Sequence, residues 1–507
     1  MMKFFDKKVL SLFLSIGVSF GLGNGVNTVA FAATTGAATV DQGAPIGAIT
    51  KVMVTFLKDS TTEKGFTWYT SRKSIASDLQ VVEQTSTNLL PNFTKAINIV
   101  GSCAIPSNKT DAPTPTGTTT SKPEYLHKAE ATGLKANTTY FYRVGDASLG
   151  LWSAGTFQTA STSGAFSYID LADPQAKEYG EGLLAASTFK KALDTVPDSK
   201  FIQISGDLVD KGNVEYEWDW LFNNIGQKFL NTTIAPIAGN HDEYKGSFTD
   251  HFDLAPAAGS DISTGVYYSY NYSNAHFVML NCNETAENGL STGNNNLTPA
   301  QIAWLKKDIT DAKAAGSKWV IVNMHKGPYS TSNHATDIDL AGSGGARKTL
   351  APIFAKLGVD LVLQGHDHIY ARSKPIKADG TAVTETLKTE SFQGHNVNYE
   401  QNPGAPVYLI PGTAGPKVYY KNKSIVSDPN ANGYDPKFYG LFDKADENHA
   451  AIYGSAAVDL SRPERSNIQN FESVTVDANK LSVISYEIDQ NRNSKAPYII
   501  DMFGIKK

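Results

Sequence analysis

The sequence predicts an all-β domain over residues 46–160, followed by an α/β domain over residues 165–507. In the first part, short runs rich in aromatic and β-branched residues are separated by turn signals, a pattern typical of a small antiparallel sandwich. After the small polar residues 160–164, short apolar runs alternate with helical patterns. That alternation is typical of an α/β domain with mixed connections. A chain of 507 residues is also long enough for two or more domains.

Composition and charge argue against one class of partner. Hydrophobic residues make up 41% of the chain and charged residues 19%, which fits an ordinary globular protein. The formal net charge is −5, and the sequence contains no long basic or acidic block. We therefore expect no nucleic-acid binding, because such proteins need a concentrated positive patch.

The N-terminus has the pattern of an export signal. Three lysines precede an apolar stretch at residues 9–18, and Ala30-Phe31-Ala32 offers a small-x-small cleavage site. We expect a signal peptide over residues 1–32 and a flexible lead-in over residues 33–45. A membrane anchor is the less favoured alternative, because the apolar run is short and no later run could span a bilayer. The expectation is a secreted, extracellular protein without a membrane span in its mature form; association with the cell wall stays open.

The two cysteines fall in different predicted domains. They are Cys103 and Cys282. Export permits a disulfide, but two distant cysteines are weak evidence for one. We expect two non-catalytic thiols outside any disulfide.

Three runs mark strands of the predicted sandwich, at residues 52–57, 66–69 and 139–144. Between the second and third runs, Pro106–Pro123 is rich in Thr, Pro, Ser and Lys, which predicts an exposed loop. The sandwich carries no chemistry of its own that we identify. Its expected role is therefore that of a spacer or docking module.

The α/β part alternates predicted strands and helices along its length. Buried strands are predicted at residues 166–169, 201–204, 233–237, 319–322 and 359–363, with a hairpin at 266–272 and 276–281 and late strands at 407–410 and 481–484. Helices are predicted around residues 183–196 and 216–222, from Pro299 after a Thr298 N-cap, and over residues 346–357.

Five loops that follow predicted strands carry residues able to bind metals. They contain Asp173-Pro174-Gln175, Gly206-Asp207, Gly239-Asn240-His241-Asp242, His325 and Gly365-His366-Asp367-His368. Carboxylate, imidazole and amide oxygen together suit borderline or hard divalent ions. The set is too large for one tetrahedral ion and fits two ions that share a carboxylate, at the roughly 3.5–4 Å spacing of two-metal hydrolases. A water on such an ion reaches a pKa of about 7 and supplies hydroxide at neutral pH.

These blocks, in this order, resemble the calcineurin-like metallophosphoesterase superfamily, and most closely its purple acid phosphatase-like branch. Residues 125–152, with Ala129-Glu130-Ala131-Thr132-Gly133-Leu134, resemble the fibronectin-like N-terminal domain of that branch. The resemblance implies a four-layer α/β/β/α sandwich, preceded by an all-β fibronectin III or immunoglobulin-like sandwich. It also implies hydrolysis of phosphate esters by a metal-bridging hydroxide.

The resemblance further implies a role for each matching residue. Asp207 would bridge both ions. Asp173, Gln175 and His368 would complete one site, and Asn240, His325 and His366 the other. His241 would assist departure of the leaving oxygen, oriented by the carboxylate of Asp210.

Two positions depart from the pattern of that branch. Purple members carry a tyrosine three residues after the bridging aspartate, where this chain has Asp210, so we expect no purple charge-transfer band. Many members of the superfamily have histidine where this chain has Gln175, and an amide oxygen is a harder ligand that weakens preference for zinc. Gln175 could instead lie outside the coordination sphere, with a water in its place. The metal pair therefore stays open among Fe, Mn, Zn and Ca, in divalent or trivalent states.

Several other polar residues have competing interpretations. His334 either reaches the substrate or is a solvated loop histidine. Arg372 is expected to pack behind the site, and Asp170 to be a strand residue that makes a structural hydrogen bond. The Gly-rich run at residues 342–345 lacks the Lys-Ser/Thr ending of a phosphate-binding loop.

The sequence therefore predicts a secreted dinuclear phosphoesterase that acts on small phosphate monoesters. A phosphodiesterase or nucleotidase with the same metals is the first alternative. A non-catalytic cell-surface binding protein is the alternative of another class. The physiological substrate, the pH optimum and the oligomeric state stay undetermined.

Overall fold

The computed structural model describes residues 48–507 except 73–74, 88, 109–110, 114–118, 122–123, 286–293, 447–466 and 493. The strands are Thr50–Phe56 (β1), Lys64–Thr70 (β2), Asp78–Glu83 (β3), Ile97–Val100 (β4), Ser102–Ala104 (β5), Asp111–Pro113 (β6), Thr119–Ser121 (β7), Tyr125–Ala131 (β8), Thr139–Asp146 (β9), Leu151–Gln158 (β10), Phe166–Leu171 (β11), Phe201–Ile204 (β12), Thr233–Pro236 (β13), Tyr268–Tyr272 (β14), Ala275–Met279 (β15), Trp319–Met324 (β16), Leu361–Gln364 (β17), Tyr370–Ser373 (β18), Leu387–Phe392 (β19), His395–Gln401 (β20), Val407–Pro411 (β21), Phe442–Asp446 (β22), Ile468–Val476 (β23), Lys480–Asp489 (β24) and Tyr498–Lys506 (β25). The α-helices are Tyr179–Thr195 (α1), Glu215–Ile225 (α2), Ser247–His251 (α3), Pro299–Ala314 (α4), Ile338–Ala341 (α5), Ala346–Thr349 (α6), Ala351–Leu357 (α7) and Ser424–Ser427 (α8). Short 3₁₀ segments lie at Phe93–Lys95, Gly226–Asn231, Asn333–Thr336 and Phe438–Leu441.

Two large sheets form the centre of the α/β part. The larger runs β19-β20-β25-β24-β23-β11-β12-β13-β1-β2-β8-β5, and the smaller runs β14-β15-β16-β17-β21-β18-β22. Successive side chains along a strand of the smaller sheet point to opposite faces. Phe277 packs in the core between the two sheets, and Val278 packs on the helix side. Leu305 of α4 and Phe354 of α7 share that second core. With α1 and α2 on the larger sheet, the predicted α/β/β/α layering is confirmed.

The N-terminal part is all-β, as predicted. The sheet β10-β9-β3-β4 packs against β1, β2, β8 and β5, and the apolar core between them contains Trp68, Val81 and Tyr142. The sequence did not indicate how this part joins the rest. β1 pairs in parallel with β13, with Val54 opposite Thr233, so one sheet of the sandwich continues into the larger sheet of the α/β part.

The α4 prediction is confirmed at its first turn, because the Thr298 side chain accepts a hydrogen bond from the Gln301 amide and Pro299 is the first helical residue. The helix predicted over residues 346–357 is instead two short helices, with Leu350 between them.

The sequence predicted only part of the C-terminal strands β23 to β25. They enter the larger sheet beside β11, since Tyr168 lies opposite Val474.

The prediction of an exposed loop at residues 106–123 is wrong at Pro106 and Asn108, which are buried, and at β6 and β7, which pair as antiparallel strands. Asn108 is only 4% exposed, and its side chain contacts residues of the α/β part. A polar composition suggested solvent, but the amide nitrogen of Asn108 donates to a buried main-chain oxygen and a buried carboxylate.

Three further sequence predictions concern the N-terminus, membrane spans and the two cysteines. The predicted signal peptide and lead-in lie outside the described residues. No helix in the described part of the chain is both long and apolar enough to cross a membrane. Cys103 is exposed and Cys282 is buried, and no disulfide joins them.

Candidate metal centre

The predicted ligands follow parallel strands whose carboxyl ends meet at one edge of the two sheets. β11, β12 and β13 pair in parallel in the larger sheet, and β16 and β17 in the smaller. The residues after these strands are Asp173 and Gln175, Asp207, Asn240, His325, and His366 and His368. Ligands of open α/β sheets bind beyond the carboxyl ends of the strands, which explains why residues far apart in sequence converge here.

Three of these residues have a left-handed main-chain conformation, which residues other than glycine seldom adopt. The φ angle is +54° at Asp173, +51° at Asp207 and +70° at His366. Such a conformation costs about 1–3 kcal/mol at a non-glycine residue, and it concentrates at functional sites. Gly206 precedes the middle one at φ +92°, where a Cβ would lie 2.6 Å from His325 Nδ1. The loops are therefore shaped to aim side chains into one small volume.

Two groups of three ligands share one residue. Atoms of Asp207, His325 and His366 lie within 4.8 Å of one another, and so do atoms of Asp173, Asp207 and His368. The shared residue is Asp207, the predicted bridge. All of these side chains are buried. This arrangement has the form of two adjacent cation sites with a common carboxylate.

Four donor atoms at the site are buried without a hydrogen bond. They are Asp173 Oδ2, Gln175 Oε1, Asn240 Oδ1 and His325 Nε2, and none has a partner among the residues that the structure describes. Leaving such atoms unpaired costs about 1–3 kcal/mol each. Carboxylate, amide oxygen and imidazole are donors that divalent ions accept, so the residues present fit a pair of cations.

Main-chain carbonyls fix the tautomer of two of the histidines. His325 Nδ1 lies 2.8 Å from the Ser205 oxygen, and His368 Nδ1 lies 3.0 Å from the Lys417 oxygen. Because a carbonyl only accepts, each Nδ1 carries the hydrogen and each Nε2 keeps its lone pair. His325 Nε2 lies 3.2 Å from Asp207 Oδ1, and His368 Nε2 lies 3.6 Å from Asp173 Oδ1.

The electrostatics of the site favour bound cations. Burial, and then repulsion from Asp207, raises the pKa of Asp173. Burial alone would also raise the pKa of Asp207, but the neighbouring imidazoles of His325 and His241 hold it well below its ordinary value. Burial lowers the pKa of His366 and His368, which keeps both rings neutral. Neutral imidazole and carboxylate are the forms that bind metal.

His241 lies beside the Asp207 carboxylate and remains 30% exposed in its side chain. Its main-chain N–H donates to Asp207 Oδ1 at 2.9 Å, and its ring Nε2 lies 3.9 Å from Asp207 Oδ2. The ring is therefore next to the metal ligands but open to a substrate.

The group that orients His241 differs from the prediction. Its Nδ1 lies 2.7 Å from the main-chain oxygen of Asp210, whereas the Asp210 carboxylate is 4.0 Å away. That carboxylate instead accepts a hydrogen bond from Gln175 Nε2 at 3.4 Å. The predicted orienting carboxylate is thus replaced by a carbonyl, and the carboxylate turns the Gln175 amide so that Oε1 is its unpaired atom.

Asp242 belongs to a predicted block but received no role from the sequence. Its carboxylate is fully buried and accepts from the Gly239 amide at 2.8 Å and the Val209 amide at 3.1 Å. It therefore ties the loop that carries Asn240 to the loop that carries Asp207. A carboxylate within a ligand-rich block was the available signal, but residue type alone does not separate a ligand from a support.

His334 lies at the site rather than in solvent. Its ring stacks on His366 with centroids 3.8 Å apart, and its Nδ1 lies 2.7 Å from Asp337. Burial would lower the pKa of His334, but the Asp337 hydrogen bond and nearby Asp367 raise it. Asp367 also accepts from the His334 amide at 3.3 Å. Asp367, the third residue of the Gly-His-Asp-His block, thus holds the loop that carries His334 at the site.

The remaining polar residues behave as expected. Arg372 pairs with Asp501 at 2.7 Å and Asp443 at 2.6 Å, so it packs away from the ligands. Asp170 accepts from the Ser205 hydroxyl at 3.0 Å.

Two family models match the chain. Residues 49–159 match the purple acid phosphatase N-terminal domain, and residues 184–370 match the calcineurin-like phosphoesterase. The second range includes every predicted metal ligand except Asp173 and Gln175, which precede it.

Similar proteins point in the same direction. Purple acid phosphatase 23 of Arabidopsis thaliana is 25% identical over 352 residues, which are 62% of this chain and 68% of that protein. Acid phosphatase type 7 of Homo sapiens is 26% identical over 221 residues, which are 40% of this chain and 47% of that protein. The structure of purple acid phosphatase PPD1 from yellow lupin matches with a TM-score of 0.64 at 15% identity, over 91% of this chain and 74% of that one. This last likeness supports the fold.

Proposed function

Because the chain is a metal-dependent phosphatase of the calcineurin-like superfamily, in its purple acid phosphatase-like branch, we propose that it hydrolyses small phosphate monoesters at a two-cation centre built on Asp207. The observation that carries the proposal is the pair of ligand groups that share this one carboxylate. The preference for monoesters rests on the relatives, whose names describe phosphatases.

The proposed ligand set follows the two groups. Asp173, Gln175 and His368 would hold one ion, and Asn240, His325 and His366 the other, with Asp207 between them. When bound, the ions supply a water of lowered pKa for attack and neutralise charge on the phosphoryl oxygens. Iron, manganese, zinc and calcium all remain candidates for these donors.

His241 would handle the proton of the leaving group. Its Nδ1–H donates to the Asp210 oxygen at 2.7 Å, so an added proton resides on Nε2. From there it can pass to the ester oxygen as the P–O bond breaks, and the departing alcohol leaves neutral. His334, stacked on His366, is the proposed contact for the phosphoryl group.

Loss of a central ligand tests the proposal. We expect Asp207→Ala and Asn240→Ala each to abolish hydrolysis of 4-nitrophenyl phosphate, because the centre then lacks its bridge or an oxygen donor. Asp311→Ala is the matched control, since Asp311 is exposed on α4 and pairs only with Lys307 among the contacts observed. Unchanged turnover in both ligand variants would defeat the mechanism.

A panel of esters tests the substrate class. We expect faster turnover of monoesters than of a bis-ester such as bis(4-nitrophenyl) phosphate. Faster turnover of the diester would favour the phosphodiesterase alternative, and no turnover of any ester by protein with its metals bound would favour a non-catalytic binding role.

We also propose that the chain is exported, from its N-terminal sequence pattern. Expression with the intact N-terminus should place a product that starts near residue 33 in the culture medium. Retention of the uncleaved chain in the cells would contradict this.

A further inference from the structure

A residue of the N-terminal sandwich reaches the loop beside His241. The Asn108 side chain is buried, and its Nδ2 donates to the Gly212 oxygen at 2.7 Å and to Glu215 Oε2 at 3.0 Å. Gly212 ends the loop that carries Asp207 and Asp210, and Glu215 begins α2. The contact therefore links the sandwich to a loop of the metal centre.

Gly212 in turn holds the main chain at His241. The Gly212 amide donates to the His241 oxygen at 2.7 Å. A Cβ on Gly212 would lie only 2.3 Å from the Asp242 oxygen, so the two loops are in direct contact. The His241 ring donates to Asp210, in the same loop. Movement of the Asp210–Gly212 segment would therefore displace both the main chain and the ring of His241.

A buried cluster of ion pairs holds Glu215, the other hydrogen-bond partner of Asn108. The register of β1 against β2 shifts between Thr50 and Met53, and Lys51 there has a φ angle of +48°. Such bulges redirect side chains, and Lys51 Nζ contacts Glu215 as well as Glu124 at 2.8 Å and Asp219 at 3.0 Å.

Glu215 also lies 3.0 Å from His251 Nε2. Its carboxylate is therefore held from several sides and presents a fixed acceptor to Asn108. The Asn108 Nδ2 donates to both this carboxylate and the Gly212 oxygen, so the side chain is held in one position and is not a mobile surface group.

We infer that Asn108 is a positioning residue, through which the N-terminal sandwich sets the place of His241 for proton transfer to the leaving group. This inference rests on the proposed function of His241. It gives the sandwich a part in catalysis, in place of the role of spacer or docking module that the sequence predicted.

Asn108→Ala tests the inference with two substrates. A shift of about 1 Å in a catalytic group can cost up to ~100-fold in rate, and removal of supporting hydrogen bonds should cost on the order of tenfold. We expect kcat to fall about tenfold for glycerol phosphate, whose alcohol must be protonated to leave, and less for 4-nitrophenyl phosphate, whose phenolate leaves unaided. KM should change little, since Asn108 does not touch the ligands that bind phosphate.

A double-mutant cycle separates positioning from general damage. In a His241→Ala background, Asn108→Ala should cause no further loss, because its partner in catalysis is already gone. Asn108→Leu keeps approximately the size of the side chain and removes the donating amide without adding a charge beside Glu215, and it should reproduce the loss if the alanine variant folds poorly. Asn98→Ala, an exposed asparagine in β4, is the control and should behave as wild type. Metal content and thermal unfolding are measured on every variant.

Two results would overturn the inference while leaving the proposed function intact. One is an unchanged kcat for glycerol phosphate in both Asn108 variants while His241→Ala lowers it. The other is an equal loss from Asn108→Ala with and without His241. If His241→Ala itself leaves kcat unchanged, the proposed function of His241 is refuted and the inference with it.

Discussion

Replacement of Gly239 by alanine offers a sharp test of the central carboxylate. A Cβ at this position would lie 2.1 Å from Asp207 Oδ1 and 2.8 Å from its Cγ. Real Cβ atoms do not approach closer than 3.0 Å, so the carboxylate or its loop must move by at least about 0.9 Å. Gly239 does not have a positive φ angle, so alanine is compatible with its main-chain conformation, and the clash falls on Asp207, whose main-chain nitrogen would lie 2.3 Å from the Cβ. A displacement of this size predicts a loss of kcat of about 100-fold.

The assay is hydrolysis of 4-nitrophenyl phosphate, with metal content measured on the same protein. Gly180→Ala is the matched control, because a Cβ at Gly180 meets no atom within 4 Å. We expect Gly239→Ala to lose activity together with bound metal, while Gly180→Ala retains both. A Gly239→Ala protein with wild-type kcat and wild-type metal content would refute the placement of Asp207 at the shared position.

Three further predictions concern stability and colour. Lys51→Met should lower the free energy of unfolding by about 3–5 kcal/mol, because the carboxylates of Glu124, Glu215 and Asp219 lose the lysine that pairs with all three. Denaturant unfolding, with Lys58→Met at an exposed site as the control, measures this loss. Burial raises the pKa of Glu217 from 4.5 to about 8, so the folded chain keeps a proton that the unfolded chain has lost between these values. The stability that this proton contributes is fully present below pH 4.5 and is lost as the pH rises through 8. The free energy of unfolding of Glu217→Gln should therefore decline less than that of the wild type over this pH range. The purified protein should show no intense visible band, because Asp210 stands in place of the chromophoric tyrosine; a purple preparation would contradict this.

Local sequence signals were sufficient for the strands that precede the candidate ligands and for the position of each candidate ligand after its strand. The run Phe201–Ile204 is a strand with those same bounds, and Asp207 follows it as expected. Each ligand sits just after an apolar run, so strand end and ligand type could be read together. To predict that these residues meet in space, one further rule was needed: parallel strands present their carboxyl ends at the same edge of a sheet.

Contacts made by main-chain atoms could not be predicted from the sequence. The Asp210 oxygen, rather than its carboxylate, meets His241, and a carbonyl carries no signal of residue type. The joint between β1 and β13 is another such contact, because pairing of strands far apart in the chain leaves no local pattern. Asn108 illustrates the third limit, since a polar residue in a Pro-rich stretch gives no sign of burial.

Elemental analysis of purified variants counts the cations that we propose share Asp207. We predict about two metal ions per chain for the wild type, about one each for His325→Ala and His368→Ala, and none for Asp207→Ala. Loss of only one ion from Asp207→Ala, or a single ion in the wild type after incubation with excess metal, would contradict the account.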